Sequence, residues 1–140
     1  MNLTSAGLAV TGTLSATGAV KSSSASGGIG YSTGAGGTVT QITSKSTSVT
    51  LNKVSGKITM NNAALAAGAI VAFAVNNTSF ADGDVAIVNI ASGEATQGTY
   101  SLCISAAQDN FFIVTLQNIS TGSLSEALII AFSVIKGVSA

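Results

Sequence analysis

"TYSLCISAAQDNFFIVTLQN", residues 99–118, decides how this chain is read. Its halves, TYSLCISA (99–106) and FFIVTLQN (111–118), are short, rich in β-branched and aromatic residues, and separated by the turn signal AQDN. Two strands joined by a tight connection have this pattern. The pattern recurs outward from there. AIVAFAVN (69–76) places Val71, Phe73 and Val75 on one face, and VAIVNI (85–90) and ALIIAFSVI (127–135) follow, with ADGD, SGEATQG and STGS as turn signals. Strands at such close, regular spacing predict an all-β fold, an antiparallel β-sandwich or jelly-roll-like domain. Upstream, TSVTLN (47–52) and KITM (57–60) predict a hairpin across KVSG, and NNAALAAG (61–68) reads as a segment able to make one helical turn. Cys103 has no second cysteine to pair with, and alternation reads it as a small core or near-core side chain.

Two strands are apolar on both faces. In FFIVTL, Phe112, Val114 and Leu116 form one row, and Phe111 and Ile113 begin the other. In ALIIAFSVI, Leu128, Ile130, Phe132 and Val134 face one way, and Ile129 and Ile135 the other. A sheet with one face in water alternates apolar with polar. The second face is therefore expected to be covered, either by a loop over a central strand or, the preferred reading, by another subunit. Phe111, Ile113, Ile129 and Ile135 become candidate interface residues, and the expected assembly is a homotrimer.

Charge narrows the function. Only 7% of the 140 residues are charged, five lysines against five acids, with no arginine and no histidine. No basic patch exists to neutralise phosphates, so nucleic acid is not an expected partner. Neither is a membrane, since the longest apolar run, AALAAGAIVAFAV (63–75), is thirteen residues against the ~20 that a spanning helix needs. MNLTSAGLAV lacks a basic start and a sustained apolar stretch, so no classical export signal is expected. Without histidine and with one cysteine, Cys/His zinc sites and Ser-His-Asp triads are excluded. The acids fall in predicted turns, which makes catalysis unexpected and leaves no cofactor to assign. Asp82 and Asp84 in DGD read as a turn rather than a calcium loop. The sequons at Asn76, Asn77 and Asn118 carry meaning only in a eukaryotic secretory pathway.

The first 26 residues have period two. Leu8, Val10, Leu14, Ala16 and Val20 stand at even positions, with Thr11, Thr13, Ser15 and Thr17 between them. That is extended chain rather than helix. AVTGTL followed by SATGAV is a quasi-repeat of six, and SSSASGG (22–28) reads as a flexible joint. The expected organisation is an attachment arm over 1–26, a glycine-rich lead-in over 27–37 and a β-domain over 38–140. The lead-in is not a phosphate loop. Gly37 is followed by TVTQ where a Walker motif needs Lys and Ser or Thr, and Thr33 stands where a dinucleotide fingerprint needs its third glycine.

GIGYSTGAGGTVTQITSKSTSVTLNKVSGKITMNNAALAAGA (28–69), with GSLSEALIIAFSVIKG (122–137), resembles a small virion-protein module of tailed bacteriophages and prophages. The pattern there runs close to G-Y-x-T-G-A-G-G-T-V-T-Q-x-T-S-K, then V-T-L-N-K, I-T-M and S-L-S-E-A. Ser48, where glycine is common, and Val54, often proline, are the departures. The resemblance implies an all-β, trimeric virion component, free-standing or at the end of a fibre-like protein. It offers no catalytic residues, and makes Tyr31, Gly34, Gly36, Gly37, Thr40 and Gln41 candidate interface positions. Three functions compete: a capsid decoration or cement protein on the major capsid shell, a tail or head fibre tip touching the host surface, and an enzyme such as a polysaccharide hydrolase. Shortness and low charge favour the first. With no Trp and two Tyr, the sequence has little with which to stack on sugars. The expected partners are the chain itself and the major capsid protein or other virion proteins, at the particle surface after assembly in the bacterial cytoplasm.

Overall fold

The computed structural model describes residues 10–138, which contacts divide into two units at Gly30 and Tyr31. In the first unit, residues 10–30 are exposed and form no strand; Leu8 lies outside the described residues. The second unit carries eight strands, and no helix occurs among the described residues. They are β1 (Gly36–Thr40), β2 (Val49–Thr50), β3 (Ser55–Thr59), β4 (Ile70–Asn76), β5 (Val85–Ser92), β6 (Tyr100–Gln108), β7 (Phe111–Asn118) and β8 (Ile129–Ile135). They form two four-stranded sheets, ordered β1-β3-β8-β5 (sheet A) and β2-β4-β7-β6 (sheet B).

The arrangement is compatible with a β-sandwich, because the inward rows of both sheets meet in one core. Ile58, Ile130, Phe132 and Val134 come from sheet A, and Phe73, Val75, Phe112, Val114 and Leu116 from sheet B, all buried. The Phe112 ring joins the layers, 5.5 Å from Phe132 and 5.4 Å from Phe80. Each buried aromatic or branched side chain contributes about 1.5–3 kcal/mol, so these alternating rows are the main source of stability.

Four ladders are antiparallel, as expected, but β1–β3 and β2–β4 are parallel. The predicted hairpin of 47–60 does not form. β2 pairs with β4 in sheet B, and β3 with β1 and β8 in sheet A. The chain crosses between layers at Leu51–Val54 instead of folding back in one sheet. Three bonds hold that crossing: Leu51 N–H to Asn76 O (3.0 Å), Val134 N–H to Val54 O (2.7 Å) and Asn77 Nδ2 to Lys53 O (2.7 Å). Leu51 then lies over Gly37 and Gly56, where an added Cβ would stand 2.9 and 2.6 Å from its methyls. These glycines make room for the crossing side chain. β1 thus starts inside the stretch expected to be lead-in, and the compact unit begins at Tyr31 rather than residue 38.

The helical turn expected in 61–68 does not form; the segment makes an isolated bridge at Leu65 and then a tight turn, closed by Ala69 N–H to Ala66 O (3.1 Å). Leu65 bridges Leu124 in both directions, at 2.8 and 3.0 Å, and buried Asn118 takes the carbonyls of Leu65 and Ala66. Cys103 is exposed, not core. Tyr100, Leu102 and Ile104 hold the inward positions of β6, so Cys103 points outward.

Candidate interaction surfaces

The candidate interface residues of β7 and β8 divide between opposite outer faces. Phe111 and Ile113 lie outside sheet B, while Ile129 and Ile135 lie outside sheet A, because β7 and β8 place Phe112 and Phe132 against each other. Phe111, Ile113 and Ile129 are half-buried by their sheet neighbours, and Ile135 is exposed. β7 and β8 are both central strands, each flanked on both sides within its sheet.

The outer face of sheet B carries no charged side chain. Registered across β4, β7 and β6 are Ala74–Ile113–Ala106, Ala72–Thr115–Cys103 and Ile70–Gln117–Ser101. It is a low surface of small side chains with Ile70 exposed at one end. Sheet A's outer face has one charge, Lys57, beside a depression of about 670 Å³ lined by Gly36, Ser55, Ser133, Ala131, Ile87 and Asn89 among others. At its β5 side Val85, Ile87 and Ile135 are more than half exposed. Exposed apolar groups gathered in this way on a sparsely charged surface are a mark of contact surfaces.

The candidates around the glycines separate into two kinds. Tyr31 is exposed and its hydroxyl donates to Val134 O; Gly34, Gly36 and Thr40 are exposed. Val10, Leu14 and Val20 are also exposed. Gly37 is spoken for by Leu51. Gln41 is a correction: it is buried, and its Nε2 donates to Lys45 O (3.0 Å) and Thr47 O (2.8 Å) while its Oε1 accepts from Asn61 N–H (3.2 Å). It shapes a loop and is not available to a partner.

Sequence reasoning missed the group that Gln41 belongs to. Lys45 is buried, and its Nζ donates to Asn61 O and Glu126 O, both at 2.6 Å. Burial pushes its ammonium below the ordinary lysine value, and nearby Glu126 opposes that shift. The Glu126 carboxylate accepts the Tyr100 hydroxyl at 2.5 Å, which holds the carboxyl below its usual range and, with burial, pushes the phenol up. The stretch TVTQITSK thus clips the β1–β2 loop to residues 61 and 126. A run of Thr, Ser, Gln and Lys gives no sign of burial, so only the buried polar contacts reveal this.

Asp84 has a similar structural task. Its carboxylate accepts from Lys136 Nζ, Ala81 N–H (2.9 Å) and Gly137 N–H (2.9 Å), pinning the end of β8 to the turn before β5. Asp82 is a separate contact, its amide donating to Asp109 Oδ1 at 2.6 Å. Both the Lys136 bond and the backbone amides hold the Asp84 carboxyl at about 2, against 3.8 when unfolded. The folded pKa is depressed, so this contribution is complete above the unfolded value and fades as pH falls through the folded one. Between about pH 4 and pH 2 the melting temperature of the natural chain should therefore converge on that of Asp84→Asn. Parallel loss with a constant gap would mean another acid controls the transition. Because the Asp84 oxygens are already occupied, EDTA should leave the melting temperature unchanged; a drop that calcium reverses would assign the turn to metal.

Compared with protein-family models, with curated proteins and with solved structures, the chain matches none.

Proposed function

We propose that the protein is a non-enzymatic structural component of a bacteriophage virion, a homotrimeric decoration protein seated on the major capsid shell. The supporting observation is the pair of opposed outer faces, uncharged on sheet B and bearing only Lys57 on sheet A. A sandwich with so little charge on either broad face suits dense packing of many copies, where like charges would repel. The resemblance of residues 28–69 and 122–137 to virion modules supplies the setting.

In this reading the two faces take different tasks. In a closed three-fold ring both neighbours of a subunit lie toward the axis, on one side of it. Opposite faces cannot both serve such a ring. Sheet B, whose alanines allow close approach and where Phe111 and Ile113 await covering, lines the axis between copies. Sheet A, with its depression and Lys57, is left for the shell, and residues 1–26 form the attachment arm.

Sedimentation should give three times the monomer mass at micromolar concentration, and particles should carry hundreds of copies. A stable monomer both in solution and on particles would refute the trimer. A dozen or two copies per particle would move the protein to an appendage, the fibre or receptor-binding role.

A further inference from the structure

The core is less well covered along one side. β5 and β6 are the terminal strands of their sheets and lie next to each other. Their inward residues, Val88 and Ile90 on β5 and Leu102 and Ile104 on β6, are only half-buried, whereas the inward rows of β7 and β8 are buried. The other side, at β1 and β2, is closed by buried Val49 and the loop that Gln41 and Lys45 clip down.

Natural proteins protect exposed strand edges with lysine, proline or a bulge. β5, VAIVNIAS, has neither charge nor proline, and its irregularity falls at Ile90/Ser92, leaving Val85–Ile90 regular. Among the described residues it makes no backbone–backbone hydrogen bond beyond the ladder to β8, and its one further main-chain contact is Ile90 O, which accepts from its own neighbour Asn89 Nδ2 at 3.5 Å. β6 is a poorer template because its register breaks at Ile104/Ala106, in mid-strand.

The chain also contains a segment with the missing properties. Residues 10–20 have no charge and no proline, with Val10, Leu14, Ala16 and Val20 on one alternating row, exposed and outside any strand. Twenty extended residues reach ~66 Å at about 3.3 Å each. A domain of about 100 residues has a radius of gyration near ~13 Å. The arm is therefore long enough to pass beyond its own domain.

We propose that residues 10–20 of a second copy add as a strand to the β5 edge, their apolar row closing the seam between β5 and β6 of the receiving copy. Main-chain hydrogen bonds supply affinity and the alternate side chains fix register. The idea rests on the self-association proposed above, but not on the virion setting.

The test uses full-length chains with Cys103→Ser throughout. One version carries Leu14→Cys, and the others carry Ala86→Cys, Val88→Cys, Ile90→Cys or, as a control on the sheet B face, Ala72→Cys. Donor and acceptor versions of different mass are mixed and oxidised. The expected result is a disulfide-linked heterodimer with at least one β5 version and none with Ala72→Cys. Absence of heterodimer with every β5 version overturns the proposal. So does a chain carrying both cysteines that closes only on itself, since the arm then docks in its own copy. Should a β5 variant fail to fold, hydrogen exchange on the natural chain decides: the amides of Val85–Ile90 that point away from β8 should gain at least tenfold protection from low to high concentration. Unchanged exchange there overturns the proposal. A trimer by sedimentation without these signals would sink the strand exchange alone, and a monomer would sink the assembly beneath it.

Discussion

Replacing Asn118 with alanine is expected to lower folding stability by roughly 2–4 kcal/mol, the range for losing several hydrogen bonds of one buried side chain at about 1 kcal/mol each. Asn118 ends β7 and is fully buried. Its Nδ2 donates to Leu65 O (2.8 Å), Ala66 O (3.2 Å) and Gly122 O (2.8 Å), and its Oδ1 accepts from Ser120 N–H (3.0 Å) and Ser120 Oγ (2.7 Å). One side chain thus joins the 61–68 segment to the loop before β8. Truncation takes one donor from each of three carbonyls, which keep Leu124 N–H, Ala69 N–H and Ser120 Oγ, and leaves the Ser120 N–H without its acceptor. Asn118→Asp should be worse still, because a carboxylate would meet those same carbonyls. Asn76→Ala, exposed at the end of β4, should stay within about 0.5 kcal/mol of the natural chain. Urea midpoints for the three variants test the ranking. Equal values for Asn118→Ala and Asn76→Ala would show that the loops hold without this group.

The burial of Asn118 also shows where sequence reasoning stops. Alternation placed β7 at 111–118, and nearly placed β4, β5 and β8, because each of these strands turns one apolar row inward and the row is visible as apolar letters. Alternation does not say which sheet a strand joins. Residues 47–60 alternate as a hairpin would, yet Leu51 crosses layers into space left by two glycines. The same blindness hid that Phe111 and Ile129 face opposite ways, which depends on β7 and β8 belonging to different sheets. Alanine-rich 61–68 has helical propensity, but an isolated turn gains little by itself and the Asn118 and Leu124 contacts outweigh it. Cys103 was legible in principle. Tyr100, Leu102 and Ile104 already occupy the even positions of that strand, which leaves position 103 outward.

The surfaces and the interior divide the charges between them. Lys45 and Glu126 work inside, and Asp84 with Lys136 at the end of β8. Lys57 alone among the charged residues lies within a strand of either sheet. Polar contacts therefore set the loops, while the broad faces are left for van der Waals contact, which depends on shape. Such contact is weak per atom and large only over an extended area. In the proposed assembly such faces would hold partners through many simultaneous contacts, so any element that links copies would have a disproportionate effect.

That reasoning bears hardest on the arm. A chain beginning at Gly27 is expected to fold, since the compact unit begins at Tyr31 and takes its core from β2–β8 and the loops between them. It should also trimerise, because the proposed axis is lined by sheet B. It should nevertheless be lost from particles. Each seated copy would lose the link its arm makes, and tethered contacts multiply affinity by about 10²–10⁴ through effective concentration alone. A loss of that size converts stable decoration into one that washes off during purification. The measurement is copy number per particle for truncated and full-length protein, supplied at equal concentration to undecorated shells, with sedimentation confirming that both remain trimers. Equal occupancy would place attachment on the β-domain and remove the arm from it. If the truncated chain instead sediments as a monomer, sheet B does not hold the ring and the arm is the trimer contact.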